Sequence, residues 1–216
     1  MSDDYLPYVL YVSITILAYL IGALPFGYII GKMNGLDIRD HGSGNIGATN
    51  VRRTLGKKFG ILCFGLDFIK GFIPVLVVNI LIRKQLLNLS DYAIILVAFA
   101  SVIGHMWPVY LKFKGGKGVS TIAGILLAIA PLSLLTAGIG WIIVFYSSRY
   151  VSLASVSATI ILPASAFIFS KMDIYSLSLP LQIMLISLSV LVIVRHIGNI
   201  KRLLNGTENR FEKKDK

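Results

Sequence analysis

Long apolar runs recur along the whole of this chain, at roughly 7–31, 59–82, 92–111, 119–146, 151–170 and 174–194. A segment crossing a hydrocarbon core of about 30 Å needs about 20 apolar helical residues. Backbone groups in lipid must also be satisfied internally, which favours helices for runs of this kind. The expected class is therefore an all-α membrane protein, a polytopic helical bundle. Composition agrees: 14% of the 216 residues are charged and 56% are hydrophobic, against roughly 25% charged in a soluble domain. No soluble domain stands out, so 1–216 is expected to form one integral membrane domain, with 199–216 as a basic tail.

Charge then counts the crossings. The run 119–146 would extend about 42 Å as one helix, and Pro131 falls near its middle, where a helix loses a hydrogen bond and breaks. Basic residues cluster at 32–58, at 112–117 and at 195–216. Lys and Arg are retained on the cytoplasmic side. The third cluster joins the first two only if 119–146 crosses twice, as two short helices of about 14 residues hinged at Pro131. That arrangement places 17 of the 21 Lys and Arg residues inside. Seven transmembrane helices are expected, with the N-terminus out and the C-terminus cytoplasmic. The opening MSDDYLPYVL has acids where a cleavable signal would need positive charge, so its apolar run is expected to be retained. The formal net charge of +11 reports orientation first and carries no nucleic-acid signal. Cys63, the single cysteine, is expected to pack as a small hydrophobe.

Three polar segments share the cytoplasmic face in this reading. The first, HGSGNIGATNVRRTLGKKFG at 41–60, holds five glycines, two asparagines, four basic residues and no acid. Its GxGxxG is not a dinucleotide fingerprint, because no strand precedes it and Asp67 lies in a span. Glycines such as Gly44 let backbone N–H groups turn toward an anion. Ser43, Asn45 and Asn50 add neutral donors, and Arg52 and Arg53 add planar forks suited to phosphate. The second segment, GHMWPVYLKFKGGKGVST at 104–121, places Lys112, Gly115, Gly116, Lys117 and Gly118 before a helix start, the ingredients of an anion site. It is not a Walker A loop, since no Ser or Thr follows Lys117 directly. The third, RHIGNIKRLLNGTENRF at 195–211, has His196 and Asn199 at i and i+3, a spacing that puts both on one helical face. Glu208 is expected to hold the tail through an ion pair. Asp67 and Lys70, three apart within a span, are expected to pair and to brace the neighbouring loops.

GSGNIGATNVRRTLGKKFG, GHMWPVYLKFKGGKGVST and HIGNIKRLLNGTE, together with DFIKG at 67–71, resemble the bacterial membrane acyl-phosphate:glycerol-3-phosphate acyltransferases, the PlsY family. The likeness runs from about residue 15 to 211. It implies a seven-span protein of the bacterial inner membrane with its site on the cytoplasmic face. The implied reaction passes an acyl chain from acyl-phosphate to the 1-hydroxyl of sn-glycerol 3-phosphate, giving 1-acylglycerol 3-phosphate and phosphate, the first acylation of phospholipid biosynthesis. It implies no metal, no cofactor, and no requirement for acyl-CoA or acyl carrier protein. By the same resemblance Ser43 and Arg53 are important for activity, and Gly115, Gly116, Lys117 and Gly118 correspond to the motif linked to glycerol 3-phosphate. His196 and Asn199 match the third motif, and Glu208 its structural glutamate.

Two other classes fit parts of the pattern: a transporter for an organic phosphate, and a scaffold docking anionic headgroups. Against the transporter, the polar motifs crowd one face, no convincing repeat appears and little polar material lines the spans; the scaffold leaves the placed Ser, Asn and His residues unexplained. The topology has a direct check. Cysteines introduced into 41–58 and into 205–210 are expected to label from the same side of sealed vesicles, and labelling from opposite sides would remove the shared face.

Overall fold

The structure, a computed structural model, describes residues 5–87 and 89–211. The acids Asp3 and Asp4 and the tail lysines Lys213, Lys214 and Lys216 lie outside the described residues. The described residues are helical, without strands, in the order α1 (Leu6–Gly22), α2 (Phe26–Met33), α3 (Ala48–Leu55), α4 (Lys57–Arg83), α5 (Asp91–Met106), α6 (Val119–Ile129), α7 (Pro131–Ser148), α8 (Val151–Lys171), α9 (Leu179–Arg195) and α10 (Ile197–Leu204). Two compact units divide the chain, residues 1–129 and 130–216.

The expected division of the sixth run is present, with unequal halves. α6 has 11 residues and α7 has 18, not 14 each. Pro131 opens α7, and Ala130 before it is pushed out of helical geometry (φ −143°, ψ 58°). By length and apolarity five helical segments can cross a membrane among the described residues: Pro7–Met33, Lys57–Arg83, Asp91–Leu111, Pro131–Ser148 and Val151–Lys171. A sixth results if α9 and α10, bent by 55°, form one span. α6, about 17 Å long, is too short by itself. Large apolar side chains such as Ile61, Ile73, Ile143 and Ile160 are exposed, as expected of surfaces that meet lipid. The chain is a multi-pass membrane protein.

In the first unit the helices meet where side chains are absent. A Cβ on Gly22 of α1 would lie 2.3 Å from the Ser101 carbonyl oxygen of α5, and one on Gly104 of α5 would lie 2.4 Å from that of Tyr19. The same reciprocity joins α4 to α6: Gly71 abuts Thr121 O at 2.2 Å and Gly124 abuts Phe68 O at 2.0 Å on the same construction. Lipid supplies no hydrophobic drive for helix association, so backbone approach and van der Waals packing hold such pairs together. Helix ends inside the unit are closed by side chains. Asn79 of α4 donates to Ala128 O at the end of α6 (2.8 Å). Lys70 of α4 donates to Leu24 O (2.8 Å), in the break that Pro25 makes between α1 and α2.

In the second unit α7, α8 and α9 carry a tail that folds back. Trp141 donates to Ser155 Oγ across α7 and α8 (3.2 Å), and Ser133 and Tyr175 share a hydroxyl hydrogen bond. Phe211 N–H donates to Arg149 O (3.1 Å) while its ring meets Phe145 edge to face. Replacing Gly124 with Ala is expected to destabilise the protein by about 1–3 kcal/mol through overpacking. Gly138→Ala, whose Cβ has open space, is expected to leave the thermal midpoint unchanged or raised. Equal midpoints for the two variants would remove the close α4–α6 approach.

Candidate active site

The first polar segment is a loop held by one amide. Asn50 is buried on α3 and donates through Nδ2 to Ile38 O (3.1 Å) and His41 O (2.9 Å), while its Oδ1 accepts from Ser43 N–H (2.8 Å). Both amide hydrogens are taken up by the loop. Asn50 therefore positions Ser43 by holding the loop around it. Gly42 and Gly44 turn the loop with φ of 60° and 69°, where a side chain would be strained. Asn45 is also engaged, its Oδ1 accepting from Gly47 N–H (2.8 Å). Ser43 is exposed, and Arg53, three residues past Asn50 on α3, is half-buried. Arg52 is exposed, with its Cβ against Gly60 of α4. Upstream, Asp37 caps its own turn and pairs with Arg39 (2.7 Å) and Lys32 (3.4 Å). The Arg39 hydrogen bond holds the Asp37 carboxyl well below the usual carboxylate range. Two members of the first basic cluster thus serve this acid.

The second segment is seated on His105. Gly115 N–H donates to Met106 O (3.2 Å) and Gly116 N–H to His105 O (3.1 Å). A Cβ on Gly115 would lie 2.2 Å from His105 O, and one on Gly116 would lie 2.1 Å from His105 Nε2. Lys112 and Phe113 take left-handed backbone (φ 50° and 62°), and Gly118 (φ 84°) turns the chain into α6. Lys112 is exposed and Lys117 half-buried. On its other side His105 Nδ1 is 3.6 Å from Asp67 Oδ1, and Asp67 Oδ1 is 2.7 Å from Lys70 Nζ, all three residues buried. The expected Asp67–Lys70 pair is thus present and has a third member. Cys63, buried on the same face of α4, also makes polar contacts: its Sγ lies 3.7 Å from Asp67 Oδ2 and 4.0 Å from Ile46 O in the first loop.

The third segment, in the second unit, centres on a carboxylate. Glu208 Oε1 accepts from Asn199 Nδ2 (2.6 Å) and Ser152 Oγ (2.8 Å), and Oε2 accepts from Arg202 Nε (2.7 Å). Burial opposes the charge, but the bonds from Asn199, Ser152 and Arg202 outweigh it and hold the Glu208 carboxyl below its ordinary range. His196 stands at the 55° bend between α9 and α10, as the N-cap of the helix that carries Asn199, and its carbonyl accepts from Ile200 N–H (2.9 Å). Its Nδ1 is 2.8 Å from Val192 O. A carbonyl only accepts, so Nδ1 carries the hydrogen, and in the neutral ring Nε2 is the acceptor nitrogen.

A family model described as glycerol-3-phosphate acyltransferase matches residues 12–206. A glycerol-3-phosphate acyltransferase of Aquifex aeolicus is 46% identical over 198 residues, 92% of this chain and 97% of its own length. One from Syntrophotalea carbinolica is 47% identical over 196 residues, 90% and 94% of the two chains. The chain belongs to the glycerol-3-phosphate acyltransferase family. Among solved structures, PlsY, an integral membrane glycerol 3-phosphate acyltransferase, is 44% identical in its glycerol 3-phosphate form, with a TM-score of 0.82 over 94% of this chain and 96% of that one. Its lysophosphatidic acid form matches with a TM-score of 0.79.

Within this family's sequence His105 is the residue that composition and spacing passed over. It lies inside the quoted GHMWP, and its signal was that of any ionisable group in a span, which needs a named partner. That partner is 38 positions away. In the second unit, Glu208→Gln is expected to lower stability at neutral pH by roughly 1–3 kcal/mol through weakened bonds to Asn199, Ser152 and Arg202. The folded carboxyl titrates below its unfolded value, so its contribution is complete above the ordinary glutamate pKa of about 4.3 and is lost as the pH falls through the lower folded value. The stability gap between wild type and variant should therefore hold from neutral pH down to the ordinary glutamate pKa of about 4.3 and close below it. A gap independent of pH would remove the charge from the account.

Proposed function

We propose that this protein transfers an acyl chain from acyl-phosphate to the 1-hydroxyl of sn-glycerol 3-phosphate, giving 1-acyl-sn-glycerol 3-phosphate and inorganic phosphate. The observation that carries this reading is the Gly115–Gly118 loop. It brings Lys117 and the Gly118 turn to the start of α6, in a chain 44% identical to the acyltransferase solved in its glycerol 3-phosphate form. The proposed setting is the bacterial inner membrane, with seven crossings, the N-terminus out, the C-terminus cytoplasmic and the site on the cytoplasmic face. The α9–α10 segment counts as one crossing in this topology, and α6 as a short one whose ends the bilayer meets by thinning or neighbouring helices cover. Neither acyl carrier protein nor acyl-CoA takes part.

Both substrates are anionic, so the reaction needs cations and hydrogen-bond donors held ready in place. Gly44, Asn45, Arg52, Lys112, Gly115, Gly116, Lys117 and Gly118 are the proposed phosphate contacts, with Asn50 acting through the loop it holds. Acyl-phosphate is already activated, and a covalent acyl-enzyme is unnecessary. The C1 hydroxyl oxygen of glycerol 3-phosphate bonds to the acyl carbonyl carbon. The bond from that carbon to the phosphate oxygen breaks, and phosphate leaves with the electron pair. Arg53 stabilises charge on the carbonyl and the departing phosphate, and Ser43 positions a phosphate. His196, with Nε2 as the acceptor nitrogen of the neutral ring, is the proposed acceptor of the hydroxyl proton; a phosphate oxygen of the substrate is the competing acceptor. Asn199 is held by Glu208 in the same segment.

Phosphate release by purified protein should require both acyl-phosphate and glycerol 3-phosphate, with acyl-CoA unable to replace the donor. Release without glycerol 3-phosphate would mean hydrolysis and would sink the transfer reading. Arg53→Ala is expected to abolish turnover while leaving membrane insertion intact, and near-normal turnover would take Arg53 out of the mechanism.

A further inference from the structure

The glycines of the second segment are required on two different grounds, and the geometry separates them. Gly115 faces backbone: its Cβ would meet His105 O at 2.2 Å, Pro108 Cδ at 2.4 Å and Met106 O at 2.8 Å. Gly116 faces a side chain: its Cβ would meet His105 Nε2 at 2.1 Å, Cε1 at 2.8 Å and Cδ2 at 3.1 Å. An imidazole at the surface could swing away from such a contact. This one is buried, with 4% of its surface exposed, and its Nδ1 faces Asp67 Oδ1 at 3.6 Å. Asp67 is in turn fixed by Lys70 at 2.7 Å, and Lys70 by the Leu24 carbonyl at 2.8 Å. A buried ring with a carboxylate 3.6 Å from one edge has little room to turn, and it presents its opposite edge to the loop.

We propose that His105 is a positioning residue for glycerol 3-phosphate: oriented by the Asp67–Lys70 pair on α4, it sets the backbone path of Gly115–Gly118. The proposal rests on the reading of this loop as the glycerol 3-phosphate contact. His105 touches no substrate in this scheme. The chain of contacts runs from the α1–α2 break through Lys70 and Asp67 to His105 and then to the loop. The loop's place is thus decided by a charge pair in the interior of the unit. The requirement for glycine at 116 is therefore a requirement for room beside an imidazole, and it should relax when the imidazole shrinks.

The test is a pair of double-mutant cycles. Asn in place of His105 keeps a nitrogen near the Nδ1 position, and so a donor toward Asp67, but lacks the Nε2 edge. Gly116→Ala is expected to raise KM for glycerol 3-phosphate roughly tenfold, with KM for the acyl donor little changed. The His105→Asn/Gly116→Ala protein is expected to return to within about threefold of His105→Asn alone. His105→Asn/Gly115→Ala should show no recovery, because the groups facing Gly115 are still present. Thermal midpoints of the same detergent-solubilised proteins should follow the same order without any substrate. Additive losses at 116 in both KM and midpoint, or equal recovery at 115 and 116, would overturn the proposal. A general loss of folded protein would lower kcat and leave KM alone, which also counts against positioning. If wild-type protein makes no product from acyl-phosphate, the donor reading fails on its own, and the midpoints still decide whether His105 limits residue 116.

Discussion

The Asp67–Lys70 pair is the contact from which the first unit is organised. Both groups lie on α4 within a membrane-spanning length, and both are almost wholly buried. A lone charge in such a place is costly, and removing one partner of a buried pair costs about 3–5 kcal/mol because the other is left uncompensated. The pair does more than neutralise itself. Lys70 closes the carbonyl left open at the break between α1 and α2, and Asp67 faces His105 on α5 and Cys63 one turn earlier on α4. One face of α4 thus meets α3 at Gly60, the first loop at Cys63, His105 of α5 at Asp67, and α6 at Gly71.

Each polar loop is tied to a buried polar residue. Asn50 holds the first loop and Glu208 the third through side-chain hydrogen bonds, while the second hangs on the His105 and Met106 carbonyls with the His105 ring against Gly116. The chemistry needs such anchors, because hydrogen-bond donors stabilise developing charge best when they do not have to reorganise. Glycine-rich segments by themselves are too mobile to supply this, since each glycine loses more backbone freedom on ordering than any other residue. Buried anchors restore the order while leaving Ser43, Arg52 and Lys112 exposed. The loop glycines consequently serve two masters: the backbone turns that Gly42, Gly44 and Gly118 make, and the close approach of Gly115 and Gly116 to His105.

Much of this was legible in one dimension. Hydrophobic length sets the membrane class, because a bilayer has a fixed thickness and each helical residue a fixed rise. Pro131 marks a helix boundary, because proline acts on its immediate neighbours. The three polar segments, the family and the Asp67–Lys70 pair follow from residue types at short spacing. Tertiary structure alone decided where that break leaves unequal helices, with α6 ending against Asn79 of α4. It made Asn50 a clamp on the first loop, set His196 at a bend, and gathered Ser152, Asn199 and Arg202 on Glu208. It also joined His105 to Asp67. These contacts span separations such as 46 positions for Lys70 to Leu24 and 56 for Ser152 to Glu208. Local pattern encodes what a residue does to its own turn of helix; which distant carbonyl or carboxylate it meets depends on how whole helices pack, and that is a property of the folded chain.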